Sequence, residues 1–163
     1  MVAGREACCN ITMHTLLIFL LLPWISLLAS AAGPGDADLP PCPSSPNCVS
    51  SGDPDPVRRI DPISFQGREE EAREAIETVV CSFPRATIVA ASGSVVRAEF
   101  RSLLGFVDDV EFRIDEVAGV IHVRSASRKG YWDFGVNRRR VEAIREAFGS
   151  VMEKRSGDVP GSR

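Results

Sequence analysis

Histidine is scarce in this sequence of 163 residues: there are only two, His14 and His122. Histidine is the most frequent general base beside a nucleophilic serine, and it is the commonest side-chain ligand of protein-bound metals. His14 lies in an apolar N-terminal segment, which leaves His122 as the single histidine of a folded domain. We therefore expect no complete pair of nucleophile and base, no zinc site and no cofactor.

Positive charge is not in excess either. The formal net charge is −3, which gives no global attraction to nucleic acid or to an anionic membrane. The charges are unevenly placed, because acids prevail between Glu99 and Glu116 and bases prevail between Arg124 and Arg145. This pattern predicts either that neighbouring elements neutralise each other or that a local cationic pocket exists in a mildly acidic protein.

No apolar run is long enough for a comfortable membrane span. Leu16–Leu28 is apolar at all but two of its 13 positions, which matches the core of a secretory signal better than a spanning helix of about 20 residues. Ala29-Ser30-Ala31 supplies the small residues that a signal peptidase requires. We therefore predict a signal peptide over residues 1–31 and an exported protein, in the periplasm or secreted, with no stable membrane anchor. An uncleaved N-terminal anchor and a plastid lumen are the alternatives.

Three cysteines follow the predicted signal, an odd number for an exported protein. Cys42 and Cys48 are separated by a polar turn with two prolines, so they are the natural disulfide pair. A loop this short is expected to shape a local knuckle more than to hold the whole fold. Cys81 falls late on a predicted helix and is expected to be a small buried residue.

The remaining chain divides into a lead-in, a domain and a tail. Residues 32–67 are rich in Pro, Gly, Ser and Asp, which predicts an irregular lead-in pinned on the domain by Ile60, Ile63 and Phe65. Residues 68–155 have the periodicity of regular structure, and the polar residues 156–163 are predicted to be frayed.

Hydrophobic spacing predicts two helices and four strands in residues 68–155. Asn137 is expected to cap the second helix, whose buried stripe includes Val141 and Phe148. Short connections make neighbouring strands antiparallel, so the fold class is α+β, with a single four-stranded antiparallel sheet flanked by two helices in the order α-β-β-β-β-α. The predicted bounds are Arg68–Cys81 for the first helix and Ala86–Ala91, Val95–Arg101, Asp109–Asp115 and Val120–Ser127 for the strands.

The polar and aromatic loop between the last strand and the second helix is the best candidate for a binding site. Arg138–Arg140 would lie in the first turn of that helix, where the positive end of the helix dipole disfavours cations. Either the protein's own acids, such as Asp133, Asp108 or Asp109, or a bound anion should compensate. The candidate ligand-binding residues are Arg124, Ser125, Ser127, Arg128, Tyr131, Asp133, Asn137 and Arg138.

A catalytic interpretation of the same loop meets a geometric obstacle. His122 and Arg124 share one face of a predicted strand, whereas Ser125 and Ser127 point to the other face. The imidazole of His122 is therefore badly placed to act as a base for either serine. We assign no catalytic residue and no metal ligand.

Several stretches of the sequence form a recognisable set, namely Cys42–Ser51, Phe106–Phe112, Val123–Arg128, Gly130-Tyr131 and Asp133–Arg138. Together they resemble the domain-of-unknown-function family 1499, over roughly Pro41 to Phe148. The resemblance implies a small domain of bacteria and plastids, often exported, with no established activity and no catalytic residue to carry over. Trp132 departs from the family pattern, which usually has serine there, and this implies a different ligand preference.

These observations predict binding more than catalysis. The first hypothesis is a non-enzymatic exported domain that binds a small anionic ligand or a partner protein through residues 124–138 and the cysteine knuckle. One alternative is a small hydrolase-type enzyme that uses the same polar groups, against which the scarcity of histidine weighs. Another is a structural component of an envelope complex, which would expose an apolar patch instead of a pocket.

Overall fold

The computed structural model describes residues 39–157, so the predicted signal peptide and residues 158–163 of the predicted tail lie outside the described range. Within this range the α+β class is confirmed, with one antiparallel sheet and two helices. No helix in residues 39–157 is both long and apolar enough to cross a membrane. The elements are β1 (Cys48–Ser50), β2 (Ile63–Ser64), α1 (Glu69–Ser82), β3 (Ala86–Ser92), β4 (Val95–Arg101), β5 (Val107–Asp115), β6 (Val120–Ser127) and α2 (Val136–Gly157).

The sheet in these residues has six strands, two more than the four predicted, and both additions come from the lead-in. The strand order is β1-β6-β5-β4-β3, and β2 also pairs with β6. Val49 opposes Ser125 across one of these added pairs, and Ile63 opposes Ile121 across the other. Strands of three and two residues are too short to produce an alternating pattern, which is why the sequence predicted only irregular structure there.

One face of the sheet packs against both helices and forms the core. The buried residues alternate along β5 and β6, as expected for strands covered on one side. Ile60, Ile63 and Phe65 are buried in this core, where they hold the lead-in on the domain. The helices contribute Ala72, Ala75, Ile76, Val79 and Val80 from α1, and Val141, Ile144 and Phe148 from α2.

The other face of the sheet carries a ladder of ion pairs between neighbouring strands. Arg97 of β4 bonds to Glu111 of β5 at 3.0 Å. Arg128, just beyond β6, bonds to Asp109 at 2.7 Å and to Glu99 at 2.5 Å, and these hydrogen bonds raise the pKa of its guanidinium. On this face the acidic and basic stretches of the sequence therefore neutralise each other.

Two local predictions about helices need correction. Cys81 is exposed, not buried. Val79 and Val80 already occupy the inward side of the last turn of α1, and the next residue is rotated about 100° away from it. In addition, α2 continues through Ser156 to Gly157, residues that the sequence assigned to the tail.

Candidate functional site

Asp133 shapes the loop that joins β6 to α2. Its carboxylate accepts hydrogen bonds from the backbone N–H groups of Gly135 (2.8 Å) and Asn137 (3.0 Å) and from the side-chain amide of Asn137 (2.9 Å). Burial alone would raise the pKa of Asp133, but these hydrogen bonds outweigh it and lower the pKa. A negative charge therefore lies at the positive end of the α2 dipole.

The predicted cap of α2 is therefore wrong: Asp133 fills the role assigned to Asn137. The helix begins at Val136, so Asn137 lies inside its first turn, where its backbone N–H is a group to be capped. A carboxylate suits this position because its charge interacts favourably with the dipole, in addition to its hydrogen bonds. Two of the protein's own acids therefore lie beside the arginines, Asp133 at the helix start and Asp108 next to Arg140.

Asn137 is fully buried and is the centre of a polar network that we call the Asn137 hub. Its Oδ1 accepts hydrogen bonds from Ser125 Oγ (2.6 Å) and Arg140 Nη1 (2.7 Å). Its Nδ2 lies 3.0 Å from both the carbonyl oxygen of Asn47 and Ser127 Oγ, as well as near Asp133. An amide has two N–H groups, so one of them is shared between acceptors. The hub consists of Asn137, Asn47, Ser125, Ser127, Asp133 and Arg140.

Arg140 closes the hub on the side of β5. It forms an ion pair with Asp108, and each of these side chains is only 11% exposed. Its guanidinium carbon also lies 4.9 Å from the centre of the Phe100 ring. Neither Arg140 nor Asp108 was among the candidate ligand-binding residues. The alternation of β5 could have revealed this pair, because it places Asp108 on the inward face with Val110, where a buried charge needs a partner.

Asn47 joins the cysteine knuckle to the hub. The predicted Cys42–Cys48 disulfide is present, with the two Cα atoms 5.7 Å apart. Inside the closed segment, Asn47 Nδ2 donates to the carbonyl oxygen of Gly130 (2.6 Å), and the carbonyl oxygen of Asn47 accepts from the backbone N–H of Ser127 (3.0 Å). The knuckle therefore positions the β6–α2 loop. The sequence missed Asn47 because nothing in a turn-forming segment reveals which loop it contacts.

A groove of about 380 Å³ lies beside the hub, between the lead-in and the β6–α2 loop. Trp132 and Phe134 line it, although they remain 66% and 85% exposed. Arg138 donates to the carbonyl oxygens of Val57 (2.9 Å) and Arg59 (2.8 Å), and it forms no ion pair with a carboxylate of residues 39–157. The full lining is Pro46, Cys48, Val49, Val57, Arg58, Trp132, Asp133, Phe134, Gly135 and Arg138.

The turn that exposes Phe134 is strained. Phe134 has φ of 53° and Gly135 has φ of 74°, and the N–H of Val136 closes the turn on the carbonyl oxygen of Asp133 at 3.0 Å. Positive φ at both central positions is typical of a type I′ turn, which favours Asn-Gly. A bulky side chain in the left-handed region costs about 1–2 kcal/mol. An exposed aromatic residue held at that cost indicates a role other than folding.

The sequence matches one protein family. The model of that family, described as protein of unknown function (DUF1499), covers residues 38–148. The chain belongs to the DUF1499 family. This confirms the resemblance found in the sequence, and the match includes the knuckle, the sheet and the first part of α2. Among curated proteins, none matches the sequence. The family description carries no activity, so the role of the groove in this DUF1499 chain has to come from its geometry.

The eight candidate residues of this DUF1499 domain do not converge on one site. Arg124 and Arg128 lie toward the opposite face of the sheet, where Glu111 faces Arg124 across the strand pair. Tyr131 stays in the loop and packs edge-on against Trp132, with the ring centres 5.6 Å apart. The others meet at α2: Ser125, Ser127, Asp133 and Asn137 in the hub, and Asp133 and Arg138 along the groove.

The polar groups of the DUF1499 hub are arranged to position the loop. Ser125 and Ser127 bond to Asn137, on the helix-covered face. His122 lies on the other face, with its Nδ1 3.5 Å from Ser51 Oγ. In residues 39–157, no group of three or more His, Cys, Asp or Glu side chains is arranged to hold a metal ion. The hydrogen bonds of the hub therefore suit the shaping of a groove.

Proposed function

We propose that the protein is a non-enzymatic, exported binding domain that holds a small amphipathic anion in the groove beside the Asn137 hub. The observation that carries this proposal is the combination, in one groove, of exposed apolar walls with the guanidinium of Arg138, which forms no ion pair with a carboxylate of residues 39–157. Trp132, Phe134 and Val57 would cover the apolar part of the ligand, and Arg138 would bind its anionic group. The Cys42–Cys48 disulfide supports an oxidising compartment such as the periplasm.

The charges along the groove favour an anion over a cation. Arg58 is engaged by Asp53 (3.5 Å) and Asp55 (3.2 Å). Asp133 also lines the groove, but its two oxygens already accept hydrogen bonds from N–H groups at the start of α2. Arg138 is therefore the charge that remains for a ligand. Its NH2 group holds the lead-in carbonyls, which leaves its other nitrogens to donate elsewhere.

The state of the hub supports binding over catalysis. A serine nucleophile needs an adjacent base, and Ser125 is instead bonded to the side chains of Asn137 and Arg140. Arginine stays protonated at any physiological pH and cannot take the serine proton. His122, the histidine of the described domain, faces away from both hub serines. A hydrolase that uses these polar groups would have to rearrange the start of α2.

A matched pair of probes tests the groove: octanoate and octanol, which share an apolar chain and differ in charge. A Trp24→Phe background makes Trp132 the single tryptophan, so its fluorescence reports on the groove. We expect octanoate to bind more tightly than octanol. Arg138→Gln should reduce octanoate binding about tenfold, as expected for loss of a charge-assisted hydrogen bond, and should leave octanol binding unchanged.

Phe134→Asn is the complementary variant, because it removes an aromatic wall and also relieves the strained turn. It should weaken octanoate and octanol binding alike while raising the free energy of unfolding by about 1 kcal/mol. Weaker binding by a more stable protein cannot come from unfolding. Equal affinity of the wild type for the two probes would disprove the anion preference, and no response of Trp132 to either would disprove the groove as a ligand site. Native mass spectrometry of the protein as purified would then weigh its natural occupant.

A further inference from the structure

Large apolar side chains are exposed together at one end of the sheet. This end, which we call the loop end, consists of the β4–β5 hairpin tip (residues 102–106) and the β6–α2 loop (residues 128–135). At the hairpin tip, Leu103 and Leu104 are 85% and 84% exposed. Tyr131, Trp132 and Phe134 add three exposed rings from the neighbouring loop. An apolar surface of this kind usually marks a site of interaction.

The two loops lie side by side, and hydrogen bonds fix the backbone of the hairpin. The backbone N–H of Arg128 donates to the carbonyl oxygen of Val107 at 3.0 Å, so the β6–α2 loop starts against the base of the hairpin. Within the hairpin, the N–H of Ser102 bonds to the carbonyl oxygen of Phe106 at 2.9 Å, and the N–H of Phe106 bonds to Ser102 Oγ at 3.0 Å. The two leucines are therefore presented by a closed turn.

Unpaired cations border this apolar surface. Arg85 flanks the hairpin base, where it exchanges backbone and side-chain hydrogen bonds with Arg101. Lys129 opens the neighbouring loop, and neither Arg85 nor Lys129 forms an ion pair with a carboxylate in the part of the chain that the structure describes. The nearby acids are already occupied by arginines or backbone N–H groups: Glu99, Asp108, Asp109 and Asp133.

We propose that the loop end docks on an anionic lipid surface. Leu103 and Leu104 would enter the boundary of the acyl chains, Tyr131 and Trp132 would lie at the level of the headgroups, and Lys129 would bind lipid phosphate. Leucine and aromatic residues bordered by cations are typical of proteins that lie in a membrane interface. Two narrow protruding tips also suit a fluid surface better than a rigid partner.

The charge distribution would orient the protein on such a membrane. The whole chain has a net charge of −3, so anionic lipid repels most of its surface. The opposite end of the sheet includes Asp115 and Glu116 and the three glutamates at the start of α1. Within residues 39–157, only the loop end combines exposed leucines with cations that have no carboxylate partner there. Trp132 belongs to both surfaces, but Leu103 and Leu104 do not line the groove, so substitution of a leucine tests docking without removing a wall of the ligand site.

Vesicle cosedimentation tests this docking, with vesicles of phosphatidylcholine mixed with phosphatidylglycerol compared with pure phosphatidylcholine. Leu104→Ser should weaken binding to the mixed vesicles about tenfold or more, as expected for one leucine no longer buried. Lys129→Gln should weaken it about fivefold and reduce its dependence on salt. The matched control is Val117→Ser, which removes a fully exposed apolar side chain at the opposite end and should change nothing. All variants keep residues 1–38, so any contribution from that segment cancels.

Three results would overturn the proposal. One is no binding of the wild type to the mixed vesicles, and a second is equal loss for Leu104→Ser and Val117→Ser. The third is self-association in the absence of lipid that Leu104→Ser abolishes, because the surface would then be an interface between copies. Octanoate binding by Leu104→Ser should match the wild type, so failure of docking and failure of the ligand site can be told apart.

Discussion

The loop end of the sheet and the opposite end, which we call the hairpin end, differ in how they satisfy their polar groups. The hairpin end contains the β3–β4 and β5–β6 hairpins and the start of α1. There the N–H of Phe65 bonds to the carbonyl oxygen of Gly119 (2.9 Å), and Glu116 accepts from the N–H of Glu69 (3.0 Å), at an exposed site. The loop end instead relies on a fully buried asparagine whose partners come from three separate parts of the chain.

The two helix starts make the same contrast. Glu69, Glu70 and Glu71 occupy the first turn of α1, where the dipole favours acids, and no buried charge is needed. The first turn of α2 holds Arg138–Arg140, with Asp133 bonded to N–H groups at the helix start and Asp108 paired with Arg140. The charges in the first turn of the helix agree with the helix dipole at the hairpin end and conflict with it at the loop end. Conflicts of this kind concentrate where function constrains the sequence, which supports the loop end as the functional one.

The largest difference between the ends should come from Asn137→Ala. This change removes the buried acceptor of the Ser125 hydroxyl and of Arg140 Nη1, and also one donor to the carbonyl oxygen of Asn47, so we expect a loss of about 3 kcal/mol in the free energy of unfolding. The matched change at the hairpin end is Glu116→Gln, which keeps an exposed acceptor for the N–H of Glu69 and should cost less than about 0.5 kcal/mol. Urea unfolding measures both. Similar losses in the free energy of unfolding for the two variants would contradict a larger contribution of the hub to stability.

Removal of the disulfide should have the next largest effect. Replacing both Cys42 and Cys48 by alanine should cost about 2 kcal/mol, because a closed loop of this length restricts the unfolded chain only modestly. The loss should also be local: the N–H of Ser127, which bonds to Asn47, should exchange with solvent faster, whereas the N–H of Phe65 at the hairpin end should not. Hydrogen exchange followed by mass spectrometry separates this result from a uniform loss of protection.

Regular elements were predictable from the sequence because their signals are local. The apolar pattern gave β4, all of β6 and most of β5, and helical spacing gave α1, with the correct buried stripe. The disulfide was predictable because its two cysteines are close in sequence. Strands β1 and β2 were not, because their few residues gain regular structure only through pairing with β6.

The site was predictable in part, for the same reason. The conflict between three arginines and a helix dipole pointed to the loop beside the hub and named Asp133, Asp108 and Asp109 as possible compensating acids, of which Asp133 and Asp108 lie at the start of α2. No local signal reveals that Asn47, some 90 residues earlier, bonds to Asn137. Nor does a strand pattern separate Arg124 and Arg128 from the hub until the loop geometry is known. Contacts distant in sequence were the part that pattern alone could not supply.

The smallest predicted effect concerns acid, and it compares the two helix starts directly. The pKa of Asp133 is lowered in the folded protein, so its stabilisation is complete above the ordinary value of 3.8 and is lost as the pH falls toward the lowered value. Asp133→Asn keeps the shape of the side chain but removes the charge and one of the two acceptor oxygens. It should cost about 1 kcal/mol at neutral pH and make stability less sensitive to acid below pH 3.8. Glu71 at the hairpin end also has a lowered pKa, chiefly through its hydrogen bond from the Arg68 side chain, but its side chain is 41% exposed. In high salt we therefore expect the contribution of Glu71 to acid sensitivity, measured as the difference between the wild type and Glu71→Gln, to disappear. The contribution of Asp133, measured in the same way with Asp133→Asn, should persist, because partly buried charges are screened less. Urea unfolding at a series of pH values, with and without salt, distinguishes the two carboxylates. Equal salt sensitivity would contradict a partly buried cap at the loop end.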